Sequence, residues 1–185
     1  MTRSAARPTR RTRLLGTGAA LLLGISALAG CSAHPGQAAI VNYTNTDGVS
    51  STVTISEQEV QDATEDLGEY AAVSGDEGLD AVFVLNALMA LPAVEQLGED
   101  YGITVTDADA LDALQQIAPD VDYSPAAVDV FRYYLLATQI NTLEDQDAVS
   151  ARFQELQNGL SLDISPRYQG GGAWLLQDDT QLRLG

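Results

Sequence analysis

Eleven consecutive residues, Ala81 to Leu91, contain no charge and a single polar side chain, Asn86. A run this apolar must leave water, yet eleven residues fall well short of the ~20 that cross a bilayer as a helix. It therefore reads as the centre of a buried helix over Leu79 to Leu97, covered on several faces by other elements. Pro92 falls inside this segment and is expected to kink or restart it, because proline lacks the amide that the helical ladder uses. Gly98 and Gly102 bracket its end.

The rest of the chain must supply the cover, and its start and stop signals are plain. Ser56-Glu57-Gln58-Glu59 is a capping box: the serine hydroxyl accepts from the Glu59 amide and the Glu59 carboxylate accepts from the Ser56 amide. Such a cap contributes about 1 kcal/mol and sets where a helix begins. The spacing predicts a helix over Glu57 to Ala72, with Val60, Ala63, Thr64, Leu67 and Ala71 on one face. Ser74 to Gly78 breaks it. Thr106 caps a third helix with Asp109 at its third position, Leu111, Leu114 and Ile117 give the apolar spacing, and Pro119 stops it. Ser124-Pro125 opens a fourth, long helix, with Ala127, Phe131, Tyr134, Leu135 and Thr138 on one side. Asp145 to Asn158 is a fifth, with Val149, Phe153 and Leu156 at helical spacing and Gly159 at its end. Ala39 to Tyr43 and Ser51 to Ile55 are β-prone runs flanking the turn Asn45 to Gly48, and Leu160 to Ile164 alternates as a strand does. The fold class is mainly α, with short β-strands at the two ends of the body that can pair. There is no internal repeat.

The N-terminus has a different character. Arg3, Arg7, Arg10, Arg11 and Arg13 precede any acid, and Leu14 to Leu28 is uncharged. A basic region followed by a short apolar one is an export signal. Leu28-Ala29-Gly30-Cys31 closes it and resembles the bacterial lipobox, in which cleavage falls before the cysteine and its thiol receives a diacylglyceryl group. Cys31 is the single cysteine of the chain. The expected organisation is a signal peptide over 1–30, a tether over 31–38 and a helical domain over 39–185. The expected location is the extracytoplasmic face of the cell membrane, held there by the lipid anchor alone.

Residues 31–185 hold all 26 acids against four Arg, a formal net charge of −22. Such a body is repelled by phosphate backbones and anionic headgroups, so nucleic acid is excluded as a partner and the membrane surface offers no second attachment. No lysine occurs, which excludes a phosphate-loop lysine and Schiff-base chemistry. The lone histidine, His34, sits in the tether with nothing rigid to orient it. Two calcium-like runs, Asp107-x-Asp109-x-Leu111 and Asp145-x-Asp147-x-Val149, fail at the third ligand and lack the loop glycine. Gly170-Gly171-Gly172 lacks the strand–glycine–helix setting of a phosphate site. Neither catalysis nor a cofactor nor a metal is expected.

Three segments fall in a familiar order. Ala39-Ile40-Val41-Asn42-Tyr43 is followed by Val53-Thr54-Ile55-Ser56-Glu57, and Ser165-Pro166-Arg167-Tyr168 comes last with Trp174 downstream. This order resembles the N-terminal domain of SurA/PrsA-type extracytoplasmic foldases, in particular the small actinobacterial lipoproteins of that type. The resemblance runs from Ala39 to Trp174. Tyr43 stands where that family usually has glycine, and Gln169 to Gly172 is inserted before the tryptophan. No parvulin-type isomerase domain is expected after it, and prolyl isomerase activity is not expected to carry over. The resemblance implies a chaperone-like module that holds unfolded or exported polypeptides. An accessory lipoprotein that binds one folded envelope protein is the alternative.

A holding surface consists of apolar and aromatic side chains exposed on a helical frame with a polar rim. Phe83, Met89, Tyr123, Phe131, Tyr133, Tyr134 and Trp174 are the candidate lining. Pro166, Arg167 and Tyr168 read as a structural motif, in which Arg167, one of few cations, pairs with carboxylates at strand and helix ends; a clamp on a peptide carboxylate is the alternative.

Overall fold

The computed structural model describes residues 35–45 and 48–168. The signal region, the lipobox residues Leu28, Ala29 and Gly30, Cys31, His34 and Trp174 lie outside the described residues. The described residues form five helices and one three-stranded antiparallel sheet.

Strand β1 (Gln37–Thr44) and strand β2 (Ser50–Ser56) pair as the expected hairpin, with Val41 opposite Val53 and Asn42 opposite Thr52. The Thr52 hydroxyl donates to Asn42 Oδ1 at 2.7 Å across the pair. A cross-strand bond of this kind helps to fix register. Strand β3 (Ser161–Ile164) adds to the other side of β1, Val41 facing Leu162, so the order is β2-β1-β3. The two ends of the body therefore meet in one sheet. The most apolar strand takes the middle: Ala39 and Val41 are fully covered.

Helices α1 (Glu57–Ser74), α2 (Ala81–Asp100), α3 (Asp107–Ile117), α4 (Pro125–Ile140) and α5 (Gln146–Asn158) each open on a side-chain cap. In α1 the capping box closes as expected, Glu59 N–H donating to Ser56 Oγ at 3.1 Å and Ser56 N–H to Glu59 Oε2 at 2.6 Å. Thr106 and Asp109 form the same box at α3, with Thr106 N–H donating to Asp109 Oδ2 at 2.8 Å. Ser124 and Asp145 cap α4 and α5. Asp80 accepts the Phe83 amide at 2.7 Å, which moves the start of α2 from the expected Leu79 to Ala81.

The long helix departs from expectation at its proline. Helix α2 runs without interruption through Pro92 to Asp100. Pro92 removes one ladder bond, but Leu88, Leu91, Ala93 and Val94 around it are buried, and their packing holds the helix in register. At 20 residues α2 has the length and apolarity of a membrane span, yet most of it is enclosed by protein. It lies against α4, α5, α1 and the sheet. Its first half joins a core with Val41, Ile55, Val60, Leu67 and Leu114, and its second half joins one with Leu136, Ile140, Val149 and Phe153.

The inner faces also differ in places. Helix α4 buries Ala127, Val130, Leu136, Ala137 and Ile140, while Tyr134 and Thr138, expected on the same stripe as Ala127, face outward. Ile117 ends α3 exposed, because Ala110 and Leu114 already fill the contact. Helix α1 buries Val60, Ala63, Leu67 and Ala71 as the spacing requires.

Gly98 is the most tightly enclosed of the described glycines. A Cβ there would lie 2.8 Å from the Ile103 carbonyl oxygen and 3.2 Å from Leu136 Cδ2. The chain turns back at this point: the Ile103 amide donates to the Gly98 carbonyl at 2.8 Å and Gly102 adopts φ 73°. Gly98→Ala therefore forces backbone to move and should lower stability by about 1–3 kcal/mol, read as a reduced urea midpoint; an unchanged midpoint would contradict this packing.

Candidate functional site

Three rings form a row where α1 meets α4. The ring centroids of Tyr70 and Phe131 are 5.6 Å apart in an edge-to-face arrangement, and those of Phe131 and Tyr134 are 5.6 Å apart with planes 35° to one another. These separations are those of favourable aromatic pairs. Phe131 and Tyr134 stand three residues apart on α4, so they share one surface, and the packing of α1 on α4 brings Tyr70 beside them. Tyr134 is 45% exposed, Val73 one turn beyond Tyr70 is 59% exposed, and Tyr70 and Phe131 are half-buried. The row is thus anchored in the core on one side and open to water on the other.

The remaining aromatic candidates separate into two groups. Phe83, 37% exposed in the first turn of α2, presents apolar surface, but among the described residues no ring contact joins it to the row. Tyr123 donates its hydroxyl to the Ala118 carbonyl at 3.2 Å and packs on the core, which makes it a brace for the segment before α4. Tyr133 is half-buried against both halves of the core, and burial raises its phenol above the ordinary value. Met89 corrects an expectation: it is fully buried in the middle of α2 and lines no open surface. The helix around it is covered on every side there, so an apolar side chain at that position is core.

Tyr70 is the member of the row that sequence reading missed. It follows Leu67 by three residues at the edge of the α1 stripe. That position predicts partial burial but not a ring partner on a helix far along the chain. Its surroundings are acidic. Burial raises the Tyr70 phenol, and the Asp76 carboxylate raises it further. Burial also raises the Tyr123 phenol, followed by Tyr70, Asp66 and Glu69. Asp66 lies one turn before Tyr70 on α1. It accepts the Ser124 amide at 2.7 Å, tying α1 to the start of α4.

The described cations lie elsewhere, at joints between elements. Arg132 on α4 meets Glu95 on α2, Asp107 at the start of α3 and Asp129 on its own helix, the last two at 2.9 Å. Arg152 ties α5 to Asp100 at 2.7 Å. Arg167, in the turn Pro166–Tyr168 after β3, bonds Glu57 at the start of α1 at 2.7 Å. This is the structural pairing expected of Arg167. The Tyr168 amide donates to the Ser165 carbonyl at 2.9 Å, closing the same turn. Among the described residues, no three His, Cys, Asp or Glu side chains are placed to hold a metal ion.

No family model, curated protein or solved structure matches the chain.

The Arg132 cluster gives a pH signature. Burial raises the carboxyls of Glu95 and Asp129 above their ordinary values, although Arg132 pulls both down. Both bind protons more tightly folded than unfolded, so this contribution to stability is complete below the ordinary carboxylate range and is lost as pH rises through the raised values. The urea midpoint should therefore increase as pH is lowered from neutral towards that range, and Glu95→Gln should flatten the increase. The same slope in wild type and variant would remove Glu95 as its source.

Proposed function

We propose that this chain is a membrane-anchored extracytoplasmic lipoprotein, a chaperone-like module of the SurA/PrsA N-terminal type that holds unfolded or exported polypeptides. The observation that carries this reading is the half-exposed row Tyr70–Phe131–Tyr134 at the seam of two core helices. Rigidly seated rings offer apolar contact to an extended chain without a large loss of their own conformational freedom. The proposed action is holding rather than turnover. The motif order from Ala39 to Tyr168 supports the family reading: Val53 to Glu57 enters α1 through its capping box, and Arg167 returns to Glu57. Anchoring by Cys31 follows from the lipobox resemblance.

Suppression of client aggregation tests the holding role. The full protein at several-fold excess over an unfolding client should lower light scattering, and Tyr134→Ser should weaken this roughly threefold, the effect of an exposed aromatic contact. No suppression at any excess would count against the reading. The anchor has its own test: wild type should partition into the detergent phase, and Cys31→Ser should leave an unlipidated precursor that does not. Crosslinking in the native envelope that recovers a single folded partner, and no unfolded polypeptides, would favour the accessory role instead.

A further inference from the structure

We propose that the Tyr70–Phe131–Tyr134 face selects basic, apolar stretches of unfolded polypeptide, taking Lys or Arg side chains over its rings and against Asp66, Glu69 and Asp76. The inference rests on the holding function proposed above and names its substrate class.

The first support is the ring geometry. Tyr134 is exposed and Tyr70 half-exposed, so ring surface is open to an incoming cation. A cation within about 6 Å of such a ring centroid is attracted by its quadrupole. The long stems of Lys and Arg lie well along apolar surface while their charged ends reach the rim, and exposed Val73 extends that surface along α1.

The second support is the charge around the rings. Asp66 lies one turn before Tyr70 on α1, Asp76 follows the Gly75 cap of the same helix and acts on the Tyr70 phenol, and Glu69 acts together with Tyr70 and Asp66 on the neighbouring Tyr123 phenol. Among the described residues none of these three acids takes part in an ion pair with the protein's own cations. Arg132, Arg152 and Arg167 are all committed to other carboxylates. The rim is therefore negative without internal compensation, on a body that carries −22 over residues 31–185. A basic segment relieves that repulsion as it binds, and an acidic one adds to it.

The test uses the purified full protein and three unstructured fluorescent peptides of equal length and equal Leu and Phe content. Their polar positions are filled with Arg and Lys, with Gln, or with Glu. The basic peptide should bind about tenfold more tightly than the Gln peptide at low ionic strength, and the gap should narrow as salt is added. The double variant Glu69→Gln/Asp76→Asn leaves the Asp66–Ser124 bond in place. It should remove most of the preference for the basic peptide and leave Gln-peptide binding unchanged. Equal affinity for the basic and Gln peptides would overturn the selectivity while leaving the holding function standing. A preference that survives the double variant would also overturn it, assigning the effect to net charge rather than to this face. Failure of all three peptides to bind would remove the holding function itself.

Discussion

Enclosure of α2 is the constraint on which the rest of this fold depends. Its central residues are apolar on every face, so no single partner can cover it. Helices α1, α4 and α5 and the sheet each take one side. That arrangement explains why Met89 is core, why Pro92 is tolerated and why Gly98 must be small where the chain folds back over the helix end. It also explains the aromatic row. Helix α4 is held against the core by Val130, Leu136 and Ile140, and Tyr134, one turn after Val130, stands at the edge of that contact and stays 45% exposed.

Charge organises the surface around this core. With so few cations available, each described arginine is placed where two or three elements converge: Arg132 between α2, α3 and α4, Arg152 between α2 and α5, Arg167 between the β3 end and α1. The exposed pairs of Arg152 and Arg167 contribute little each, while the Arg132 cluster is part-buried, and together they leave the acids elsewhere uncompensated. The seam of α1 and α4 inherits a negative rim from this economy of cations, not from a dense local cluster of acids.

Much of the fold was legible because its boundaries are set by local chemistry. Ser56, Thr106 and Ser124 satisfy helix amides with their own side chains, so the starts of α1, α3 and α4 followed from adjacent residues. The hairpin and the return strand followed from β-branched runs. The behaviour of α2 at Pro92 and the outward turn of Tyr134 were not legible, since both are decided by what packs against them. The site shows the same division. Phe131 and Tyr134 were visible by their spacing on one helix, whereas Tyr70 joins them only through the packing of α1 on α4. Arg167 was readable as a structural cation because cations are scarce, but its partner Glu57 lies 110 residues away.

On the proposed function, the ring row presented by Tyr134 on α4 is the surface that meets unfolded polypeptide. A photocrosslinking side chain placed at position 134 of the full protein, with one at exposed Val49 in the hairpin turn as reference, tests this directly in the presence of an unfolding client. Client adducts are expected from position 134, with few or none from position 49. Equal labelling from both positions, or adducts from position 49 alone, would contradict it.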